Sequence, residues 1–513
     1  MVRRVFCKVF AIGLLTWFFT TSAYASDPVL CRPQGNVSAL IMCILNANSF
    51  GGGTIDLGGY VYTLTESYTG TGAAPSGDGP TGLPDIVSII TIKDGTITTN
   101  ITPSTPSSDT FRHLHVSPPG VLNLTNVTLE NGSASAGFFG GSIYVVDTGI
   151  LGTIKDCQFI GNFAFSGGGA IAILNNSSTN SINNEIIGSI FSDNNSGHGF
   201  GGAIYLQDES GSSTAALRSI TDSVFINNSS SVQGGAICMN GNAAVETLTK
   251  TAFIANTSGG GGGGAIFFAR SAPLVVDRID SCTFSFNQAA GGGNGGAIYS
   301  NFVINQISNS TFNNNFSDGG GTLFLGVGPY NEIFNNTFTQ NSTAAFTIGA
   351  ALTFAGCHVN YFVNNTIVSN ISGFDGAVFN DGGHINVMES NIVAANFSTQ
   401  TTPPSAIDFT NTGTINFPSF NLIGSNDTST STFVNGVDGN IVGTLTNPIN
   451  PNVDVLRNNG GPTFTMALLS NSPAIGVGAN PLGLSHDQRG VGFARTIRGL
   501  TDMGAFQVQS RDH

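Results

Sequence analysis

Apolar residues alternate along this chain over short stretches that break at glycine or asparagine, and the same phrase keeps returning. Gly202-Ala-Ile-Tyr-Leu206 recurs as Gly235-Ala-Ile-Cys-Met239, Gly264-Ala-Ile-Phe-Phe268, Gly296-Ala-Ile-Tyr-Ser300 and Gly321-Thr-Leu-Phe-Leu325. Alternate residues of a strand share a face, so Ile204 with Leu206, Ile237 with Met239, Ile266 with Phe268 and Leu323 with Leu325 are assigned to the interior. A second phrase, Phe-x-x-Asn, starts at Phe159, Phe191, Phe225, Phe253, Phe284, Phe312 and Phe338. It continues more loosely at Ile367 and Ile392, in steps of 25 to 34 residues. The asparagine is expected to turn the chain, since it accepts left-handed backbone and bonds locally. A variable apolar stretch, such as Leu217 to Ile220 or Leu274 to Ile279, supplies a third strand. A repeat of this period is too short to bury a core alone and must lie on its neighbours. The prediction is an all-β fold, a right-handed parallel β-helix with three short strands per coil. Val37, Leu40, Ile41, Ile44 and Leu45 fall at helical spacing between Asn36 and Asn48, which predicts a short helix capping the first coil.

Composition narrows the alternatives. The 69 glycines among 513 residues would each cost about 1 kcal/mol inside a helix, which excludes helical solenoids. They also lack the three-residue period of collagen. Arg3, Arg4 and Lys8, an apolar run from Val9 to Phe19 and Ala23-Tyr-Ala25 read as an export leader over residues 1–25, too short to span a bilayer. The rest divides into an N-terminal cap and first coils (26–121), β-helix repeats (122–455), a distinct C-terminal segment (456–508) and a tail (509–513). Charge is sparse and negative, 16 Lys+Arg against 30 Asp+Glu, and no Lys or Arg stands between 279 and 456. A nucleic-acid partner is therefore not expected. Six cysteines follow the leader; Cys31 and Cys43 are close enough to form a disulfide in an exported protein. Cys157, Cys238, Cys282 and Cys357 read as core thiols.

Asn459-Gly-Gly-Pro-Thr463, Ala467-Leu-Leu469, Ser472-Pro-Ala-Ile475, Asp487-Gln-Arg-Gly490 and Asp502-Met-Gly-Ala-Phe506 resemble the choice-of-anchor Q domain of bacterial exported proteins. Cys43-Ile-Leu-Asn-Ala-Asn48, followed by Gly-Gly-Gly-Thr-Ile-Asp-Leu, resembles the start of such chains. The repeats are similar to those of chlamydial polymorphic outer-membrane proteins. The resemblance implies a secreted or cell-surface β-helix, usually without an assigned reaction. No stretch after the leader is apolar over the ~20 residues that span a bilayer, so no transmembrane segment is expected after leader cleavage. It fits an adhesin contacting a glycan or a host or cell-surface protein.

Candidate chemistry follows from the coil geometry. Asn162, Asn194, Asn228, Asn256, Asn287, Asn315, Asn341 and Asn370 are expected to stack as a hydrogen-bonded ladder. Tyr144, Tyr205, Phe267, Tyr299, Phe324 and Phe379 fall on the outward side of the Gly-Ala-Ile strand. There they either stack on sugar rings or pack beneath the glycine-rich turns. The enzyme alternative, a polysaccharide lyase or glycoside hydrolase, needs converging carboxylates. Asp193, Asp208, Glu209, Asp222, Asp277, Asp280 and Asp318 recur at no single coil position, although stacking of coils could bring Asp208 or Glu209 near Arg270. His113 and His115 share a strand face but lack a third metal ligand, and read as ordinary exposed histidines. Asp487, Arg489, Arg495, Arg498 and Asp502 read as an ion-pair network capping the fold. No catalytic residue, metal or cofactor is expected.

Overall fold

The computed structural model describes residues 29–101, 110–135, 137–175, 185–208, 217–269, 275–374, 376–399, 407–426 and 432–510. The expected leader, Glu209, Arg270 and the last three residues of the tail lie outside them. The chain winds into the expected parallel β-helix, with one short α-helix near its start. Each regular turn carries the three expected strands and, between the Phe-x-x-Asn and Gly-Ala-Ile strands, a fourth of two residues. These fourth strands form their own ten-stranded sheet, from Ser133–Ala134 to Phe397–Ser398.

Stacking in register puts like residues on like. Phe159, Phe191, Phe225, Phe253, Phe284, Phe312 and Phe338 pair in sequence and are fully buried. Their rings lie nearly parallel, with centroids 4.5 to 5.0 Å apart. Ile204, Leu206, Ile237, Met239, Ile266, Phe268, Leu323 and Leu325 join them in one continuous core, as the alternation requires. Cys157, Cys238, Cys282 and Cys357 are free and buried.

The turns differ from the expectation in one respect. The left-handed residue is not the asparagine but the one before it: Gly161, Asp193, Asn227, Ala255, Phe286, Asn314, Gln340 and Ser369, with φ between 53° and 62°. The asparagine that follows is buried instead and bonds along the stack. Asn194 Nδ2 donates to the Phe159 carbonyl (2.9 Å), and both its backbone N–H (3.1 Å) and Nδ2 (2.9 Å) donate to Asn228 Oδ1 in the next coil. The ladder runs on to Asn396, where Asp408 takes the next rung and accepts from Asn396 N and Nδ2 at 2.9 and 2.8 Å. A second inner ladder, Asn336, Asn365, Asn391, Asn421 and Asn440, supports the last coils. Earlier coils place Cys157, Ser189, Ser223 and Ser310 at that position. In the glycine turns, Gly201 has φ +61°, and a Cβ on Gly202 would sit 2.1 Å from the Gly235 carbonyl oxygen of the next coil.

The two ends of the chain are placed differently on the stack. The helix Val37–Ser49, capped by the Asn36 side chain, lays Leu40, Cys43, Ile44 and Ala47 on the open end of the first coil. Cys31 and Cys43 are joined by a disulfide that ties the strand Val29–Cys31 to it. The C-terminal segment does not close the far end; it doubles back along the flank of the last coils. Gln488 accepts from Thr337 Oγ1 (2.6 Å) and donates to Thr311 Oγ1 (3.0 Å), and Ala505 N donates to Thr366 Oγ1 (2.9 Å). Met466, Leu468, Ala474 and Met503 pack on Val368, Ile392, Ala394 and Leu422. The charged cluster expected to cap the fold works within this strap. Arg489 pairs with Asp487 at 2.6 Å between the rings of Phe493 and Phe506, and the Asp502 carboxylate accepts from Gly476 N and Val508 N. Arg495 is buried and donates to the Asp502 carbonyl, while Arg498 is exposed with left-handed backbone.

Candidate binding face

Of the three long sheets, the one built from the variable stretch has the most open outer surface. Each of its strands turns two apolar residues inward and the two between them outward. Ile304 and Ile307, Val359 and Phe362, and Ile385 and Met388 point in. Asn305 with Gln306, Asn360 with Tyr361 and Asn386 with Val387 point out. Register pairing aligns Gln306, Glu332, Tyr361, Val387 and Phe417 in one row. The neighbouring row is Asn305, Asn331, Asn360, Asn386 and Asn416.

These asparagines form an outer amide ladder in two runs, Asn305 to Asn360 and Asn386 to Asn416. Asn331 Nδ2 donates to Asn305 Oδ1 (2.9 Å), Asn360 Nδ2 to Asn331 Oδ1 (3.1 Å) and Asn416 Nδ2 to Asn386 Oδ1 (3.1 Å). A primary amide has two N–H donors and two acceptor lone pairs. Asn331 therefore uses one of each on its neighbours and turns the other pair outward. Along the other side His358 and His384 stack at 4.7 Å, and His384 Nδ1 lies 2.6 Å from Thr414 Oγ1. At the far end Asn416, Phe417, Phe420 and Asp438 line a hollow of about 440 Å³, and Phe417 is 62% exposed. Burial raises the Glu332 carboxyl above its ordinary range.

The aromatic stripe sits on the neighbouring sheet. Tyr144, Tyr205, Phe267 and Phe379 are buried, and Tyr299 and Phe324 half-buried. Phe139 and Phe200 cover its first part, Phe139 at 5.8 Å and Phe200 at 5.5 Å from Tyr205. Phe267, Tyr299 and Phe324 stack on one another at 4.8 and 5.2 Å. Their faces are occupied by each other, so this stripe offers ring edges to a ligand where sugar stacking uses faces.

The histidines depart from the exposed placement expected of them: both are fully buried. The loop through residues 66–84 folds over their strand, Leu114–Val116, which pairs with Ile143–Val145 at the start of the Gly-Ala-Ile sheet, a cover too remote in sequence for strand periodicity to register. His115 Nδ1 lies 2.8 Å from Asp85 Oδ1, and its Nε2 makes a 3.4 Å ion-pair contact with Asp78 Oδ2. Burial lowers its pKa, but the two carboxylates outweigh that and leave it raised. Ser117 Oγ donates to Asp85 Oδ2, and Arg112 donates to the carbonyls of Gly79, Phe139 and Gly140. His113 contacts Ser142 Oγ and the Glu130 carbonyl, and burial pushes its pKa down to about 4. The cluster staples the loop to the β-helix.

The other carboxylates are dispersed or engaged. Asp280 accepts from Ser308 and Asn309. Asp193 and Asp222 hold left-handed turns. Asp208 is buried on its strand, Asp277 is exposed on the outer face one coil before Asn305, and Asp318 bonds its backbone N–H to the Ala289 carbonyl. A groove of about 530 Å³ between the helix and residues 63–70 contains one carboxylate, Glu66. No group of three or more metal-ligating side chains occurs among the described residues, and no helix among them is long and apolar enough to cross a membrane.

No family model matches this sequence, and no curated protein matches it. Among solved structures, pectate lyase Pel9A aligns over 94% of this chain and 97% of its own, at 14% identity and a TM-score of 0.34. At that distance no site or activity transfers.

Proposed function

We propose that this chain is an exported or surface-displayed β-helix that acts by binding a glycan or protein partner on its flank, as an adhesin does, without turning it over. The observation that carries this reading is the outer face from Asn305 to Phe417, where amides with unused hydrogen-bonding capacity lie beside accessible rings. Exposed groups of this kind, held rigidly on a scaffold, favour recognition. The leader motif supports export. The terminal motifs resembling choice-of-anchor Q and the repeats similar to polymorphic outer-membrane proteins support display at a surface.

The competing reading is a polysaccharide lyase or glycoside hydrolase. The engagement of the carboxylates weighs against it: hydrolysis needs two about 5 to 9.5 Å apart across the scissile bond, and Asp78 and Asp85, which do converge, are taken up by the buried His115 between them. The test is a screen of residues 26–513 against a glycan array and intact cells, with released sugars assayed in parallel. Saturable binding without product is expected. Comparing Tyr361→Ala/Phe417→Ala with Tyr299→Ala/Phe324→Ala assigns binding to the outer face or to the aromatic stripe. Released oligosaccharides would overturn the reading in favour of the enzyme.

A further inference from the structure

We infer that the partner of the outer face is a neutral polysaccharide chain lying along the solenoid axis; this rests on the binding reading above. Three observations carry it. The first is charge. The chain has no Lys or Arg between 279 and 456, and the face carries Glu332 and, at its end, Asp438. Along the five coils from Asn305 to Phe417 an acidic polymer would find carboxylates and no Lys or Arg, the nearest being Arg278, which pairs with Gln306 one coil beyond the end of the face, and desolvating its charges without a partner is costly. A basic polymer would find few anions for its length.

The second is hydrogen-bonding capacity. Asn331 gives one N–H and one oxygen lone pair to its neighbours in the row and keeps one of each. A sugar hydroxyl is both donor and acceptor, so it satisfies such an amide with both atoms. The five amides repeat at the strand spacing of about 4.8 Å, which makes a linear site roughly 19 Å long. Asn416 differs, since its Nδ2 contacts both Asn386 Oδ1 and His384 Nε2 and leaves its oxygen free. A linear array of uncharged donors and acceptors selects an uncharged, hydroxyl-rich polymer over a folded protein surface.

The third is the pair of rings in the adjoining row. Tyr361 and Phe417 stand two coils apart, with the smaller Val387 between them. Unlike the buried stripe, they do not stack on each other, and no aromatic neighbour covers Phe417 in its row. Each supplies an apolar surface to a pyranose ring, and the hollow lined by Asn416, Phe417 and Phe420 gives the chain a concave seat at one end.

The experiment is affinity electrophoresis of residues 26–513 in gels containing hydroxyethyl cellulose, galactomannan or arabinan, against polygalacturonate as the acidic control. Retardation by a neutral polymer is expected. Tyr361→Ala and Phe417→Ala should each weaken it about tenfold, and Asn331→Ala/Asn360→Ala by a similar factor. Asn195→Ala, an exposed amide on the two-residue sheet, should leave it unchanged, and circular dichroism of every variant should match the parent. Retardation by polygalacturonate alone, or by neutral polymers equally in all variants, overturns this inference while leaving a binding function intact. Binding to cells or proteins with no retardation in any gel does the same. Absence of binding in every format removes the binding reading as well.

Discussion

Asparagine lines this solenoid on both sides of its wall, and the two placements use the same side chain for opposite ends. Inside, Asn256 accepts from Asn228 N and Nδ2 and donates to the Phe225 carbonyl and Asn287 Oδ1; every polar valence of the amide is spent on adjacent coils. Outside, Asn331 spends half. An inner rung closes hydrogen bonds that water cannot reach, so its loss leaves orphaned backbone groups. An outer rung always has water to fall back on, which makes it dispensable for the fold and available to a ligand.

The largest effect should come from breaking the inner ladder at its middle. Asn256→Ala strips partners from the Asn228 N–H, the Asn228 amide and the Phe225 carbonyl, and is expected to destabilise by about 4 kcal/mol, read as a lower urea midpoint. The ladder's final rung gives the next effect. Burial pushes the Asp408 carboxyl up to about 7 against the pull of N–H donors from Asn396 and Ser425. The folded state then holds this proton more tightly than the unfolded chain, whose carboxyl titrates near its ordinary value. Its contribution is present at low pH and lost as pH rises from about 4 to 7, by roughly 3 kcal/mol. Melting temperature against pH should fall across that window and flatten in Asp408→Asn, which restores an amide to the rung. The smallest effect belongs outside: Asn360→Ala should change stability by less than about 0.5 kcal/mol, measured on the same urea curve. A loss there comparable to Asn256→Ala would erase the distinction between the two rows.

Much of this was legible because strand period and coil period coincide in the conspicuous residues. Phe159 to Phe338, the inward Ile204 and Leu206, and the asparagines from Asn162 onward repeat in phrases that any alignment of the chain with itself brings together. The outer ladder was not, because Asn305 to Asn416 lie in the stretch between phrases, where residue identities vary and asparagine is common enough to pass as turn. The second inner ladder was masked by serine and cysteine at the same position in earlier coils. The left-handed turn residue escaped because Gly161, Asp193, Ala255 and Phe286 share a backbone conformation but no chemistry. The burial of His115 and the flank position of the strap depend on contacts across 30 to 178 residues of sequence, which local pattern does not encode.

That strap also sets an order of events. Each coil needs only its immediate neighbours to stack, so turns can form one after another as the polypeptide emerges. Gln488, by contrast, bonds the Ser310 carbonyl 178 residues upstream, and Ala505 bonds Thr366 across 139. The flank bearing Thr311, Thr337 and Thr366 therefore stays open throughout elongation and is covered last, so the closing segment fastens only onto coils that are already wound.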